Sequence, residues 1–305
     1  MEVRREEGRT GRRAGRPLAA VLRPYLYLLP TFVFLFIFTI WPILRTFYVS
    51  FFKWNMATPT MQFVGLANYA QAWNAPVFWE VLRNNLLFAA GTVPLTLGLA
   101  LALAVLINQK IRNLATYRVF LFYPTMIPMA AAVMIWLWIL TPNYGLPNYY
   151  GRWFGLPDIH WLGDNKLALW ALVLVGVWKR VGCYMVIYLA DLQVIPEYLY
   201  EAARIEGAGP WQRFWRVTFP LVSPTTFFVA VMVVIDSFQA IDQVYLMTGG
   251  GPGNATNLFI FYIYQHAFRF FDFGYASAIS AILFLILLGL TLLAFRTLHR
   301  KVHYA

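Results

Sequence analysis

Apolar stretches long enough to cross a bilayer, about 20 residues each, recur six times along this chain, at 25–47, 86–107, 119–140, 167–190, 219–247 and 276–295. Each predicts a membrane-spanning helix, so the pattern reads as an all-α, polytopic membrane protein with six transmembrane helices. Two of the stretches are interrupted by polar residues: Lys179 and Arg180 in the fourth, and Asp236, Gln239 and Asp242 in the fifth. Short surface helices are expected at 68–82 and 196–217. Proline, glycine and tryptophan mark 141–166 as a loop, and the glycine run at 249–253 as another.

Composition agrees with the pattern, since 60% of the 305 residues are hydrophobic and only 12% charged. The formal net charge of +11 adds a direction. Short cytoplasmic loops keep Lys and Arg more than exported ones do. With the N-terminus inside, 16 of the 24 basic residues fall on the cytoplasmic side, 5 fall outside, and Arg45, Lys179 and Arg180 lie within spans. Both termini are therefore expected in the cytoplasm, and 141–166 and 249–253 outside. The basic residues sit in short loops, with no separate soluble domain to carry them, which argues against nucleic acid as a partner. The arginine-rich head reads as a disordered tail near anionic lipid. Its following apolar run is too long for the core of a secretory signal.

Between the fourth and fifth spans lies a polar island, EAARIEGAGPWQRFWRVTFPLVSP at 201–224. Neither half is long enough to span a bilayer. Pro196 suits a helix start, Glu201, Ala202 and Ala203 are good helix formers, and Gly207 and Gly209 supply the stop. Apolar Leu199, Ala202 and Ile205 beside polar Glu201, Arg204 and Glu206 make a short amphipathic helix that can seat in a groove on a soluble partner.

No catalytic constellation is legible. Cys183 is the only cysteine, so no intrachain disulfide is possible. His160, His266, His299 and His303 are scattered without carboxylates or thiols at metal-ligand spacing. No cofactor is implied. A phosphate-cradling G-x-x-x-x-G-K-[ST] loop is also missing, so any ATP that drives this protein is hydrolysed by a separate subunit, and the island is the place for that subunit to dock.

Glu201-Ala202-Ala203, Gly207, Val217 and Phe219-Pro220 together resemble the EAA loop of binding-protein-dependent ABC importer permeases. The usual family pattern has Ile and Leu where this chain has Val217 and Phe219, and both changes keep apolar bulk. The likeness runs from about 25 to 305, through WPILRTFYVSF, FVGLANY, FYPTMIP, LMTGGGPGNAT and GYASAIS, all similar to the carbohydrate-type permeases that serve maltose, multiple sugars or glycerol 3-phosphate. The GGGP element resembles the first permease of the heterodimeric pair. The resemblance implies a type I ABC importer permease fold in the plasma (inner) membrane, with a basic tail at 1–24, a six-span domain at 25–298 holding an EAA coupling loop at 191–220, and a tail at 299–305. It implies a dimer of ATPase subunits, a second permease and an extracytoplasmic solute-binding protein as partners, with membrane lipid around it. It assigns Glu201, Ala202, Ala203 and Gly207 to the ATPase contact; 141–166 and 249–253 read either as contacts for the binding protein or as plain connectors.

A path for the solute is sought independently, because charges inside spans are costly and usually face a cavity or the bundle interior. Lys179 and Asp236 fall at similar depths, ~18 and ~16 Å from the outer side at the helical rise per residue. Asp236, Gln239 and Gln243 recur along one face of a continuous fifth helix, with Ser237 beside it. On the fourth helix Gly176, Lys179 and Cys183 share a face, with Arg180 about 100° round from it and Tyr184 following. Trp136, Trp138 and Trp178 offer sugar-stacking faces or interfacial anchors. The resemblance to maltose-type permeases makes these stretches line a small sugar-like solute's site, with Gly176, Trp178, Lys179, Arg180, Cys183, Asp236, Ser237, Gln239 and Gln243 as candidates. A Lys179–Asp236 ion pair that merely holds two helices together is the competing reading. A secondary transporter, which would need inverted repeats, and a membrane scaffold unrelated to ATP are the alternatives at the level of function.

Overall fold

The computed structural model describes residues 18–55, 60–109 and 114–298. The basic head up to residue 17, Lys110, Arg112 and the tail 299–305 with His299 and His303 lie outside the described residues. Two compact units divide after Tyr48.

The first unit is helical: α1 (Leu18–Leu35) and α2 (Trp41–Val49) join through a π-helical turn at Phe36–Ile40. Every side chain from 25 to 45 is exposed, Phe32, Phe34, Phe36 and Phe38 among them. A helix that is apolar all round requires an apolar surround.

In the second unit β1 (Phe52–Lys53) pairs antiparallel with β2 (Gln62–Phe63), followed by α3 (Ala67–Asn74). Ala75 is extended and Pro76 opens α4 (Pro76–Ile107), a position where the missing N–H costs nothing. The helix starts ten residues before the expected 86–107 span and absorbs the second half of the surface helix expected at 68–82. Next come α5 (Leu114–Met126) and α6 (Met129–Ile139), bent 97° from one another, so the stretch expected as one span at 119–140 is broken. Pro128, at φ −53° and ψ 140°, bars Ile127 from the helical region and ends α5 there.

The loop at 141–166 contains α7 (Leu146–Trp153) and is folded around one buried amide: Asn148 donates to the carbonyls of Pro142 and Ile159 and accepts from Ile159 N and Trp161 Nε1. Asp164 accepts from Lys166 N and Leu167 N at the entry to α8 (Ala168–Val194). Then α9 (Glu197–Ile205), α10 (Pro210–Arg213), a π-helical turn at Phe214–Thr218 and α11 (Phe219–Leu221) lead through a 68° bend into α12 (Ser223–Phe238). The fifth expected span, 219–247, is also interrupted. Gln239 N–H bonds the carbonyl of Asp236, three residues back rather than four, so α12 stops and α13 (Asp242–Met247) begins afresh. After α14 (Phe259–Tyr264) and a π-helical turn at Gln265–Arg269, α15 (Phe273–Leu298) closes the described chain.

Among the described residues four helical stretches are long and apolar enough to cross a membrane, Tyr25–Val49, Pro76–Ile107, Ala168–Val194 and Phe273–Arg296, and the count reaches six if each bent pair is one span. The core of the second unit is built on α4 against α8. Gly91 makes the room there, since a Cβ on it would meet Trp170 at 2.8 Å. Gly182 lets the Leu121 carbonyl of α5 approach α8 so closely that a Cβ would collide with it. Asn85, fully buried on α4, donates to the Ser237 carbonyl and accepts from Phe259 N, tying α12 and α14 to the same helix. Asn84 beside it holds the carbonyl of Asn254 at 2.7 Å, which anchors the glycine-rich loop.

Candidate functional site

The interruption after α12 places the 239–243 segment beside α8. Between them is a cavity of about 220 Å³, lined by Thr125, Lys179, Arg180, Gln239, Asp242 and Gln243, with Met129, Ala240 and Ile241 completing the wall. Two helix breaks meet here, and each exposes backbone that a membrane interior tolerates only where protein or a cavity satisfies it.

Lys179 serves the first break. Its ammonium donates to the carbonyls of Pro124 at 2.8 Å, Thr125 at 2.8 Å and Ile127 at 2.5 Å. The Thr125 hydroxyl returns a bond to the Lys179 carbonyl at 3.2 Å. A lysine has three N–H donors, and all three are used. The Lys179–Asp236 pair considered from the sequence does not form: Lys179 faces the α5–α6 corner, a feature invisible while 119–140 is read as a continuous helix.

Asp236 is held instead by Arg180 and Tyr184. Tyr184 Oη donates to Asp236 Oδ2 at 2.6 Å, and Arg180 Nε lies 3.6 Å from the same oxygen. Tyr184 is one helical turn beyond Arg180, so the two side chains converge on one carboxylate. The ion pair remains partly open, with side-chain exposures of 27% for Arg180 and 34% for Asp236.

Gln243 is 1% exposed, yet neither its Oε1 nor its Nε2 has a hydrogen-bond partner among the described residues. An unpaired buried amide costs roughly 1–3 kcal/mol, so such a group is normally satisfied by something. Gly176 opens the space before it: a Cβ there would stand 3.4 Å from both Gln243 Oε1 and Arg180 Nη1. Gly176, Arg180, Asp236, Gln239 and Gln243 are thus brought together, although the expected single stripe on a continuous fifth helix is not how it is done. Ser237 is turned away into the core, donating to Val234 O. Trp178 packs edge-on against Trp136 with ring centroids 5.5 Å apart, and Trp138 is 56% exposed. Cys183 is half-buried beside this group without lining the cavity.

The second candidate surface is α9. Gly207, at φ +81°, ends it with a paired closure: Ala208 N bonds Ala203 O at 2.9 Å and Gly207 N bonds Arg204 O at 3.0 Å. That left-handed position favours glycine. None of the nine residues of α9 is buried. Glu201 and Ala202 are exposed, Ala203 is half-buried, and apolar Ile205 and Tyr198 stand 88% and 65% exposed. Tyr200 reaches the Thr218 hydroxyl at 3.1 Å, fixing α9 to the following segment.

The charges stand out by residue type, whereas their partners do not. The Pro124, Thr125 and Ile127 carbonyls were hidden within an apolar run, with Pro124 and Pro128 as the available signal. Asp242 and Tyr184 carry no sign of their role in the sequence.

Residues 94–302 match the family described as binding-protein-dependent transport system inner membrane component. The chain is 36% identical to the probable ABC transporter permease protein YurN of Bacillus subtilis, over 88% of this chain and 94% of that one. It is 34% identical to the sn-glycerol-3-phosphate transport system permease protein UgpA of Agrobacterium fabrum (92% and 96% covered) and 32% identical to the trehalose/maltose transport system permease protein MalF of Thermococcus litoralis (88% and 90%). A bacterial ABC transporter involved in alginate import has a chain of similar fold, with a TM-score of 0.81 at 21% identity, covering 93% of this chain and 98% of that one. The same fold, with a TM-score of 0.82, occurs in an alginate transporter in complex with an alginate pentasaccharide-bound periplasmic protein.

Proposed function

The chain belongs to the inner membrane components of binding-protein-dependent transport systems, and on that premise we propose that its cavity beside α8 carries a sugar or sugar-like solute across the membrane. It is a permease subunit of an ABC importer, with the ATPase in a separate subunit. Its partners are a pair of ATPase subunits, a second permease and an extracytoplasmic binding protein, as the resemblance implied.

The observation that carries the reading of the cavity is the unpartnered Gln243 amide, buried at a point where two broken helices leave room for a small polar guest. Polar groups of this kind, few and convergent, are what fix a ligand's orientation. Gly176, Arg180, Asp236, Gln239 and Gln243 form the contact set. Lys179 belongs to the frame.

In this reading six spans cross the inner membrane with both termini in the cytoplasm, as the basic residues of the loops support. Glu201, Ala202, Ala203 and Gly207 then lie on the cytoplasmic side, where α9 serves as the coupling helix. Nucleotide-driven closure of the ATPase pair moves α9, and through α8 the cavity opens to alternate sides. The test is uptake into proteoliposomes by the whole importer carrying Gly207→Leu. Inserted but uncoupled protein is expected; normal ATP-linked uptake would refute the coupling role.

A further inference from the structure

We propose that a second cavity, enclosed by α9, α10 and the ends of α4 and α8, binds a phosphate-bearing anion between Arg204 and Arg213, either the headgroup of an acidic phospholipid or a soluble phosphate. The inference depends neither on the solute site nor on the coupling role of α9.

The cavity measures about 710 Å³. Arg204 reaches its wall from the last turn of α9, and Arg213 from the last turn of α10. The two flank the left-handed Gly207 turn, so the reversal of the chain there brings two guanidinium groups to one space. Among the described residues neither has an ion-pair partner, and Arg213 Nε is buried without any hydrogen bond. An unmade bond on a buried charged donor is costly, and such a donor is normally met by an ion, a water or a ligand.

Glu197 is the one carboxylate on the wall, and it stands away from both arginines in charge pairing. It belongs to the first turn of α9 and Arg204 to the last, so about 10 Å of helix separates their backbones. Both positive charges therefore stay unneutralised at their end of the cavity. Asn108 and Gln109, where α4 ends, add amide donors to the same wall. Guanidinium forks match phosphate oxygens two at a time, and a phosphate has oxygens enough for both forks, whereas a carboxylate has two in all. Val105 and Leu192, from the last turns of the two long helices, supply apolar wall beside these donors. That combination suits a headgroup whose acyl chains begin at the same level, as in basic pockets between helices at a cytoplasmic membrane surface. A guest held by both arginines fastens the α9–α10 segment to the ends of α4 and α8.

The experiment uses the whole importer, with both permeases, the ATPase pair and the binding protein, so that a cavity covered in the assembly fails it. Nanodiscs of phosphatidylcholine are compared with nanodiscs containing phosphatidylglycerol of the same chains, and with phosphatidylcholine nanodiscs in millimolar inorganic phosphate. Native mass spectrometry reads retained lipid or phosphate, and thermal unfolding reads stabilisation. Retention and a raised midpoint with phosphatidylglycerol alone assign the headgroup; the same two signs with inorganic phosphate alone assign the soluble anion. Arg213→Gln is expected to weaken retention roughly tenfold, the loss of one charge-assisted hydrogen bond, while Arg216→Gln, a like change on an arginine outside the cavity wall, stays within about twofold. In phosphatidylcholine without phosphate the Arg213→Gln midpoint should equal that of the unaltered importer. Should it fall, Arg213→Lys decides: retention restored above that of Arg213→Gln supports the site, and retention no better than Arg213→Gln overturns it. The proposal is also overturned if the unaltered importer retains neither probe, or if Arg213→Gln and Arg216→Gln weaken retention alike.

Discussion

The ammonium of Lys179 lies 2.5 Å from the carbonyl oxygen of Ile127, at the corner where α5 turns through 97° into α6. Charges inside membrane helices are usually read as ligands for a substrate. Here the nearest use is structural: a broken helix leaves backbone acceptors unmade, and a lysine from the neighbouring helix fills them. The consequence for transport is indirect but real, because the same corner contributes Thr125 to the cavity wall.

Replacing Lys179 with methionine keeps most of the side-chain volume and removes the donors. Three carbonyls then lose their partner, and a loss of about 2–4 kcal/mol is expected. The purified importer should unfold at lower temperature, and protease should cut more readily near residues 126–129. A thermal midpoint equal to that of the unaltered protein would remove the corner role.

Gly182 and Gly98 form a contrasting pair. A Cβ on Gly182 runs into the Leu121 carbonyl, backbone that has no rotamer by which to give way, whereas a Cβ on Gly98 meets nothing within 4 Å. Gly182→Ala should therefore force α5 off α8 and cost about 1–3 kcal/mol, while Gly98→Ala should be neutral or stabilise by up to about 1 kcal/mol through helix propensity. Differential scanning fluorimetry of the two variants side by side is sufficient, and equal midpoints would contradict the packing described.

These positions show where sequence reading succeeds. Length and apolarity alone locate α4, α8 and α15 within a few residues at their cytoplasmic-assigned or central portions, because a helix of that kind has one way to satisfy its backbone in lipid. Lys179, Arg180, Asp236 and Gln243 stand out in the same way, as expensive residues in the wrong surroundings. Their pairing is another matter. Whether Asp236 meets Lys179 or Arg180 depends on two helix breaks, at Ile127–Pro128 and at Gln239–Ile241, and a break within an apolar run leaves its periodicity nearly unchanged. Pro128 signals the first. The second is made by tertiary contact, with Ala240 drawn into the core, and no local residue announces it.

His266 supplies a pH-dependent element outside the spanning helices. It is enclosed by the rings of Tyr262 and Tyr275, each with its centroid 4.6 Å away, and by Phe270. Burial pushes its pKa below the ordinary histidine value, with the Asp272 carboxylate pulling weakly the other way. A base whose folded pKa is depressed is neutral in both states at high pH. Below its ordinary value of about 6.5 the opened segment takes up the proton first, so stability of the 259–272 region is complete above that pH and falls beneath it. Hydrogen exchange of these amides, corrected for intrinsic rates, should quicken between pH 7.5 and 5.5, and His266→Gln should flatten the dependence. An unchanged slope in that variant would assign the effect to another group.

Ile205 separates a helix that docks on protein from one that lies in lipid headgroups. Its side chain is 88% exposed on α9, two residues before the Gly207 turn. Ile205→Ser should leave the permease's own thermal stability within about 0.5 kcal/mol, as for other surface changes. If α9 seats in a groove of the ATPase, that apolar knob is desolvated on binding, and its loss should weaken co-purification of the ATPase and lower uptake severalfold, at roughly 1–2 kcal/mol for the buried side chain. If α9 merely floats at the membrane surface, the variant keeps its ATPase and its uptake, and the coupling role of Glu201, Ala202 and Ala203 falls with it.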